Sequence, residues 1–359
     1  MQLSSDNLIS RLSFEAQELV SSHPPQFHHA NKQLLYDYAC PPSCHHTGRI
    51  SFTRWSALVL PYRFLHADSH TTHEARQGFY GYEPSPKNQE PTVVWYVNFA
   101  HYDLFASYGL GVFAQDEIQV AEHPVLASLR EALAVSDAKS LTVEDGLPTP
   151  ILIMGAERRC AVDTDRNEKA GRPQGLCGRQ FALAKAETIL NSTSLIEPPT
   201  ITNLIAMEAP SYGRGIYTEE QISHILTTAF TGFSAACHES HKEGRPPSEV
   251  VIHTGFWGCG AYGGNRVLMA LLQLWAAHLS RVNRLVFHIS DSSGAEALAT
   301  ARHLWEEDLL TSEKGRGWVS SLLSVFRKAS SHTKIELLTS EIVSRVQARE
   351  FQWGESDGN

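Results

Sequence analysis

From residue 92 onward, short apolar runs alternate with longer segments whose apolar residues recur every three or four positions. TVVWYVNFA (92–100), TPILIMGAE (149–157), TITNLIAMEA (200–209), SEVVIHTGF (248–256) and RLVFHIS (284–290) read as buried strands. HPVLASLREALAV, EEQISHILTTAFTGFSAACHES and NRVLMALLQLWAAHLS read as helices. Pro124 suits the first turn of the first, and Val267, Leu271, Leu274, Trp275 and Leu279 form one apolar stripe along the last. Strands alternating with helices predict an α/β layer structure, a mixed and largely parallel sheet flanked by helices. The first 90 residues differ. Leu8, Ile9, Leu12, Phe14 and Leu19 read as the apolar positions of an amphipathic helix over 6–20, and QLLYDYA and RWSALVLPYRFLH follow. A loop rich in Pro, Gly and charge, 78–91, then separates a mostly helical accessory region, 1–90, from a main domain, 91–359, that ends in a helical extension.

Composition narrows the functional classes. The 359 residues are 42% hydrophobic and 19% charged, enough for a sizeable core. A net charge of −9 argues against a sequence-independent grip on nucleic acid. It leaves open a phosphorylated small ligand, whose charge backbone amides can meet. Polar residues interrupt every apolar stretch of MQLSSDNLISRLSFEAQELV, so it is not a signal peptide. No run approaches the roughly 18 apolar residues of a membrane span. A soluble, intracellular protein (cytoplasmic or nuclear) with no membrane partner is expected. Six cysteines do not suggest a disulfide framework. Cys40 and Cys44, in CPPSCHH with His45 and His46, are of zinc-ligand type, and His28 and His29 lie just upstream. The second ligand pair of a zinc motif is missing, so an ordinary loop is the simpler reading; no metal or cofactor is expected.

Two loops carry the candidate chemistry. In HTGFWGCGAYGGN, 253–265, a strand hands over to a helix through five glycines, of which Gly258, Gly260 and Gly263 spell G-x-G-x-x-G. Unpaired amides and the positive end of a helix make such a turn an anion site, and Gly263 and Gly264 would let a phosphate approach the backbone. The alternative is glycines that serve only a tight turn and close packing. A dinucleotide-binding reading is disfavoured, because the motif lies two-thirds along the chain rather than in a first βαβ unit. The second loop, VNFAHYDLFASYGLGVFAQDEIQVAEHP (97–124), reaches Gln115-Asp116-Glu117 before a helix. Phe113, Ala114, Ile118 and Val120 flank the acids, and an apolar setting resists ionisation, which suits a general acid. A solvated surface pair is the alternative.

Together the loops resemble the poly(ADP-ribose) glycohydrolase family, whose catalytic module is a macrodomain. TGFWGCGAYGGN is similar to that family's TGNWGCGAFGGD, and Val97 to Ile118 resembles its VDFAN…GGG…QEEI signature without a gap. The resemblance covers roughly 90–292. It implies a metal-free hydrolase of ADP-ribose conjugates, with ADP-ribose and ADP-ribosylated protein as partners. Glu117 matches the catalytic glutamate, Asp116 the acid beside the ribose, and Gln115 is retained. Gly255, Gly258, Cys259, Gly260, Ala261, Tyr262, Gly263, Gly264 and Asn265 would cradle the diphosphate. There are departures. The triple glycine falls on Phe105, Ala106 and Ser107, whose side chains are expected to fill space near the ribose. Asn98 and His101 replace an aspartate and an asparagine beside the ligand, and Ile289 stands where the family stacks adenine. Asp103 adds a third acid, and three acids suit a cationic leaving group, so mono-ADP-ribosyl substrates, including arginine-linked ones, are favoured. Phe181 or a neighbour would close over the ligand. Three alternatives remain: poly(ADP-ribose) as substrate, a non-catalytic ADP-ribose reader, and an NAD-dependent enzyme, for which no hydride-acceptor site is visible.

Overall fold

The computed structural model describes residues 7–60, 71–82, 92–241, 247, 249–314 and 342–354. In chain order its elements are β1 (Leu8–Glu15), α1 (Ala16–Ser22), α2 (Ala30–Ala39), β2 (Arg49–Trp55), β3 (Thr72–Gln77) and β4 (Thr92–Phe99). Then follow α3 (Gln115–Glu122), α4 (Val125–Ala134), β5 (Val143–Glu144), β6 (Leu147–Pro148), β7 (Ile151–Val162), α5 (Gln180–Leu183), α6 (Ala186–Asn191) and β8 (Thr193–Met207). The last are α7 (Glu219–Ser240), β9 (Glu249–Thr254), α8 (Arg266–Ser280), β10 (Arg284–Ile289) and α9 (Ser292–Lys314). The expected helices over the main domain fall on α4, α7 and α8, and the expected strands on β4 and β7 to β10.

Eight strands form one mixed sheet in the order β1-β2-β7-β8-β4-β9-β10-β3. From β8 to β3 every pairing is parallel, whereas β1, β2 and β7 add an antiparallel wing. Two-residue periodicity sends successive side chains of β4 to opposite faces. Trp95 and Val97 enter a core with α7 and α8. Tyr96 enters the opposite core, which α1 and α4 close, and Asn98 shares its face. Burying Trp95, Val97, Ile205 and Ile252 completely contributes about 1.5–3 kcal/mol apiece. Thr218 starts α7 with a capping box to Gln221, and Asn265 caps α8 by accepting from the Leu268 amide at 3.0 Å.

The first 90 residues depart from the expectation of a mostly helical accessory region. Residues 8–15 are a strand, with the half-buried Leu8, Ser10, Leu12 and Phe14 alternating with exposed neighbours. Ile9 suggested helical spacing, yet it lies on the exposed face. β1 and β3 form the two edges of the shared sheet, so this stretch is built into the main layer. RWSALVLPYRFLH begins in β2, and its residues 61–66 lie outside the described residues, as do 83–91 of the proposed boundary loop. At the other end, residues 351–354 follow a short helix and brace the glycine loop. The Gly354 amide donates to Gly263 O at 3.1 Å, and Asn265 Nδ2 donates to Gln352 O at 3.0 Å.

Candidate active site

The acid pair sits where α3 begins, against the carboxyl end of β4. Gln115 stitches the two elements together: its Oε1 accepts from the Phe99 amide at 2.8 Å and its Nε2 donates to Val97 O at 3.1 Å. Asn98, fully buried, donates through Nδ2 to Asp116 Oδ1 at 3.0 Å and to Gln119 Oε1 at 2.9 Å. Its own Oδ1 has no partner among the described residues. Glu117 Oε2 accepts from the Ala114 amide at 2.9 Å, holding the carboxylate at the positive end of the helix. Asp116 and Glu117 are each only 6% exposed. Burial first, and then the adjacent Glu117 charge, push Asp116 up to about 7, against the pull of Asn98 and Lys32. A proton is therefore available here near neutral pH.

The glycine loop joins β9 to α8. Gly258 and Gly263 have φ of 77° and 70°, a region that glycine enters without a Cβ penalty. The Gly264 amide donates to Gly258 O at 2.9 Å, so closely that a Cβ on Gly264 would lie 2.7 Å from that oxygen. Gly260 is different. Its φ is not in the left-handed region, and a Cβ there would meet nothing within 4 Å. The fold makes no demand for glycine at 260, and the position lines a cavity. The amides of Gly260 and Ala261 donate to no partner among the described residues. Below the loop, Trp257 Nε1 donates to Met207 O at 2.9 Å and Gln273 Nε2 to Gly255 O at 3.0 Å.

Both loops open on one cavity of about 510 Å³, lined among others by Phe99, Gln115, Gly255, Phe256, Cys259 and Gly260. Tyr262 of the glycine loop feels the charges of both Asp116 and Glu117; burial leads in raising its phenol, and Glu208 adds to it. Arg266 lies 5.2 Å over the Phe256 ring, giving the cavity wall an aromatic face backed by a cation.

Two further charged groups, Glu208 in the field of Tyr262 and Lys32 in that of Asp116, were not singled out in the sequence. Glu208, just past β8, is half-buried, and burial raises its carboxyl to about 7. An acid ending a buried strand was the available signal. Lys32 of α2 is 2% exposed; its Nζ donates to Tyr108 O at 2.9 Å and lies 5.0 Å from the Phe113 ring centroid. Burial lowers it to about 8, while Glu117 and Asp116 pull the other way. Nothing in ANKQLLYDYA marks a lysine that folds inward.

Several expected roles change. Asp103 is not a third free acid: Arg130 pairs with both of its oxygens and Ser140 Oγ donates to it at 2.7 Å. Burial raises its carboxyl, but these hydrogen bonds outweigh that and hold it below the usual range. His101 braces the same turn, its Nδ1 facing the Asp103 amide at 3.3 Å. Phe105 has φ of 57°, the left-handed conformation that glycine ordinarily supplies, and its ring is fully buried among Leu104, Tyr108 and Leu126. It does not fill ligand space as expected. Phe181 stacks on Phe113 at 4.0 Å between ring centres and is fully buried, so it is core and not a lid. Ile289 is buried in the core beside Phe287.

A helix-flanked sheet whose parallel strands end at a glycine loop and a buried acid pair defines a macrodomain-like α/β protein with a cavity at the strand ends. More narrowly, residues 184–296 match the family described as "Poly (ADP-ribose) glycohydrolase (PARG), Macro domain fold", and the chain is PARG-like over that segment. The segment holds the glycine loop; the acid pair lies outside it. Among solved structures, the chain is similar to poly(ADP-ribose) glycohydrolase from Thermomonospora curvata, at 16% identity over 81% of this chain and 85% of that one, with a TM-score of 0.42. The corresponding figures for the Deinococcus radiodurans glycohydrolase in complex with ADP-ribose are 13%, 86%, 100% and 0.38. For an Oceanobacillus iheyensis macrodomain they are 12%, 72%, 99% and 0.38. No helix among the described residues is long and apolar enough to cross a membrane.

Proposed function

We propose that the protein is an ADP-ribosyl glycohydrolase, releasing ADP-ribose from ADP-ribose conjugates. The observation that carries this reading is convergence. Gln115 and Ile118, which flank Asp116-Glu117, line the same cavity as Gly255, Cys259 and Gly260, some 140 residues further along the chain, at the ends of neighbouring strands β4 and β9. In this reading the diphosphate lies on the amides of Gly260 and Ala261, and the base lies toward Phe256 and Arg266. As the bond at the anomeric carbon lengthens toward an oxocarbenium-like state, the proton held by the acid pair passes to the leaving atom. Water then adds to the anomeric carbon and returns its proton to a carboxylate of the pair. Lys32, buried beside the pair, stabilises the carboxylate between these steps.

The finer expectation, mono-ADP-ribosyl and specifically arginine-linked substrates, rested on Asp103 as a third acid and on residues 105–107 crowding the ribose. With Asp103 held by Arg130 and Phe105 turned into the core, the reading stays at the level of ADP-ribose conjugates, and substrate panels should include polymer, serine-linked and arginine-linked protein. The second reading, a non-catalytic reader, would use the same loop but leaves the buried acids without a task.

Titration calorimetry with free ADP-ribose and with NAD tests the binding half. The expected outcome is measurable affinity for ADP-ribose that exceeds that for NAD and drops on Gly260→Val. Failure of ADP-ribose to bind at millimolar concentration would remove the proposal.

A further inference from the structure

The loop between α2 and β2 brings together three side chains that the glycohydrolase reading does not use. Ligand-type atoms of Cys40, Cys44 and His46 all lie within 4.8 Å of one another. His46 Nε2 is 3.7 Å from Cys44 Sγ. A tetrahedral zinc site with Zn–S of about 2.3 Å and Zn–N of about 2.0 Å would set sulfur and nitrogen roughly 3.5 Å apart. The Cys44–His46 separation is thus close to the edge of a metal tetrahedron, and Cys40 is within 4.8 Å of both.

A second, independent feature is the far side of the imidazole. His46 is 4% exposed, and its Nδ1 lies 3.0 Å from Glu157 Oε2 on β7. Glu157 is itself 2% exposed and is held by the Thr47 amide at 2.9 Å, by Thr47 Oγ1 at 2.8 Å and by Arg159 at 2.7 Å. An acceptor-only carboxylate requires a hydrogen on Nδ1, so in the neutral imidazole it is Nε2 that carries the lone pair, on the side of the two sulfurs. Carboxylate–histidine–metal relays have this arrangement.

We propose that Cys40 Sγ, Cys44 Sγ and His46 Nε2 bind a zinc-class divalent cation, with Glu157 as the positioning residue behind the histidine and a water in the fourth position. Binding releases the thiol protons and leaves two thiolates, which the cation neutralises. The metal would clamp the C-terminal end of α2, where Cys40 is the cap, to β2 and β7. Because α2 also carries Lys32, the clamp would fix the lysine beside the acid pair.

The experiment uses the full chain, purified under reducing conditions, loaded with Zn²⁺ and dialysed, with metal counted by mass spectrometry. Co²⁺ loading adds a spectroscopic readout of thiolate ligation. We expect about one zinc per chain and a thiolate-to-cobalt charge-transfer band. Cys44→Ser should lose both. Glu157→Gln, which leaves all three ligands in place, should bind roughly 10–100-fold more weakly. Cys177→Ser, an exposed cysteine elsewhere, should behave as wild type. Wild type that retains no zinc, Cys44→Ser that binds like wild type, or a Cys40–Cys44 disulfide in the purified chain would each overturn the site. Glu157→Gln with wild-type affinity would overturn the relay.

Discussion

Asp116→Asn should make the protein more stable at pH 8 and inactive. In the folded state burial and the Glu117 charge raise Asp116 from 3.8 to about 7. The folded chain therefore binds this proton more tightly than the unfolded chain does. Between pH 3.8 and about 7 the native state holds more protons, so stability falls as pH rises through that window. Three units at 1.36 kcal/mol each give a penalty of about 4 kcal/mol at pH 8, of which roughly 2 kcal/mol is already present at pH 5. Asparagine removes the titration. Its amide oxygen can still accept from Asn98 Nδ2, while an unpaired amide hydrogen costs about 1–3 kcal/mol at every pH. Comparing two pH values cancels that constant. Urea denaturation of wild type and variant at pH 5 and pH 8 should show the variant's relative stability improving by about 2–3 kcal/mol at the higher pH. A relative stability that is flat with pH, or that worsens at pH 8, would refute the reasoning that the acid is desolvated and protonated.

Other outcomes follow from the same geometry. Lys32→Met removes a buried positive charge that favours ionised Asp116, so the alkaline limb of the pH–rate profile should move to higher pH; an unmoved limb would place Lys32 outside the acid pair's field. Gly264→Ala puts a Cβ 2.7 Å from the Gly258 oxygen and should cost about 1–3 kcal/mol in denaturant melts. Gly260→Ala meets nothing in the fold, so stability should change by less than about 0.5 kcal/mol while ADP-ribose affinity falls by about tenfold. Asp103→Asn breaks the Arg130 pair and should cost about 1–3 kcal/mol in denaturant melts, with activity little changed.

Legibility in the sequence followed local pattern strength. The strands over 92–290 are short apolar runs between turn residues, and α7 and α8 carry unbroken helical patterns with capping residues, so their places could be read directly. β1 could not. Two adjacent apolar residues, Leu8 and Ile9, imitated helical spacing in a segment whose true period is two. The candidate site divides in the same way. Gln115, Asp116, Glu117 and the glycines are contiguous motifs, visible without a fold. Lys32 and Glu208 reach the site only through tertiary packing, and Asp103 was misjudged because its partner Arg130 lies 27 residues away on α4. Phe105 shows the limit of reading residue identity as geometry. The backbone keeps a glycine-like φ although the residue is bulky, and the ring leaves the site for the core.

The central claim, that Asp116-Glu117 and the glycine loop form one hydrolytic site, is tested most directly by release of ADP-ribose from ADP-ribosylated protein. Wild type should be run beside Glu117→Gln, a variant first shown to be folded and to bind ADP-ribose. The account predicts release by wild type and a fall of about 10²-fold or more in the variant. Wild type that binds ADP-ribose yet releases none from polymer, serine-linked or arginine-linked conjugates, or a variant as active as wild type, would contradict it.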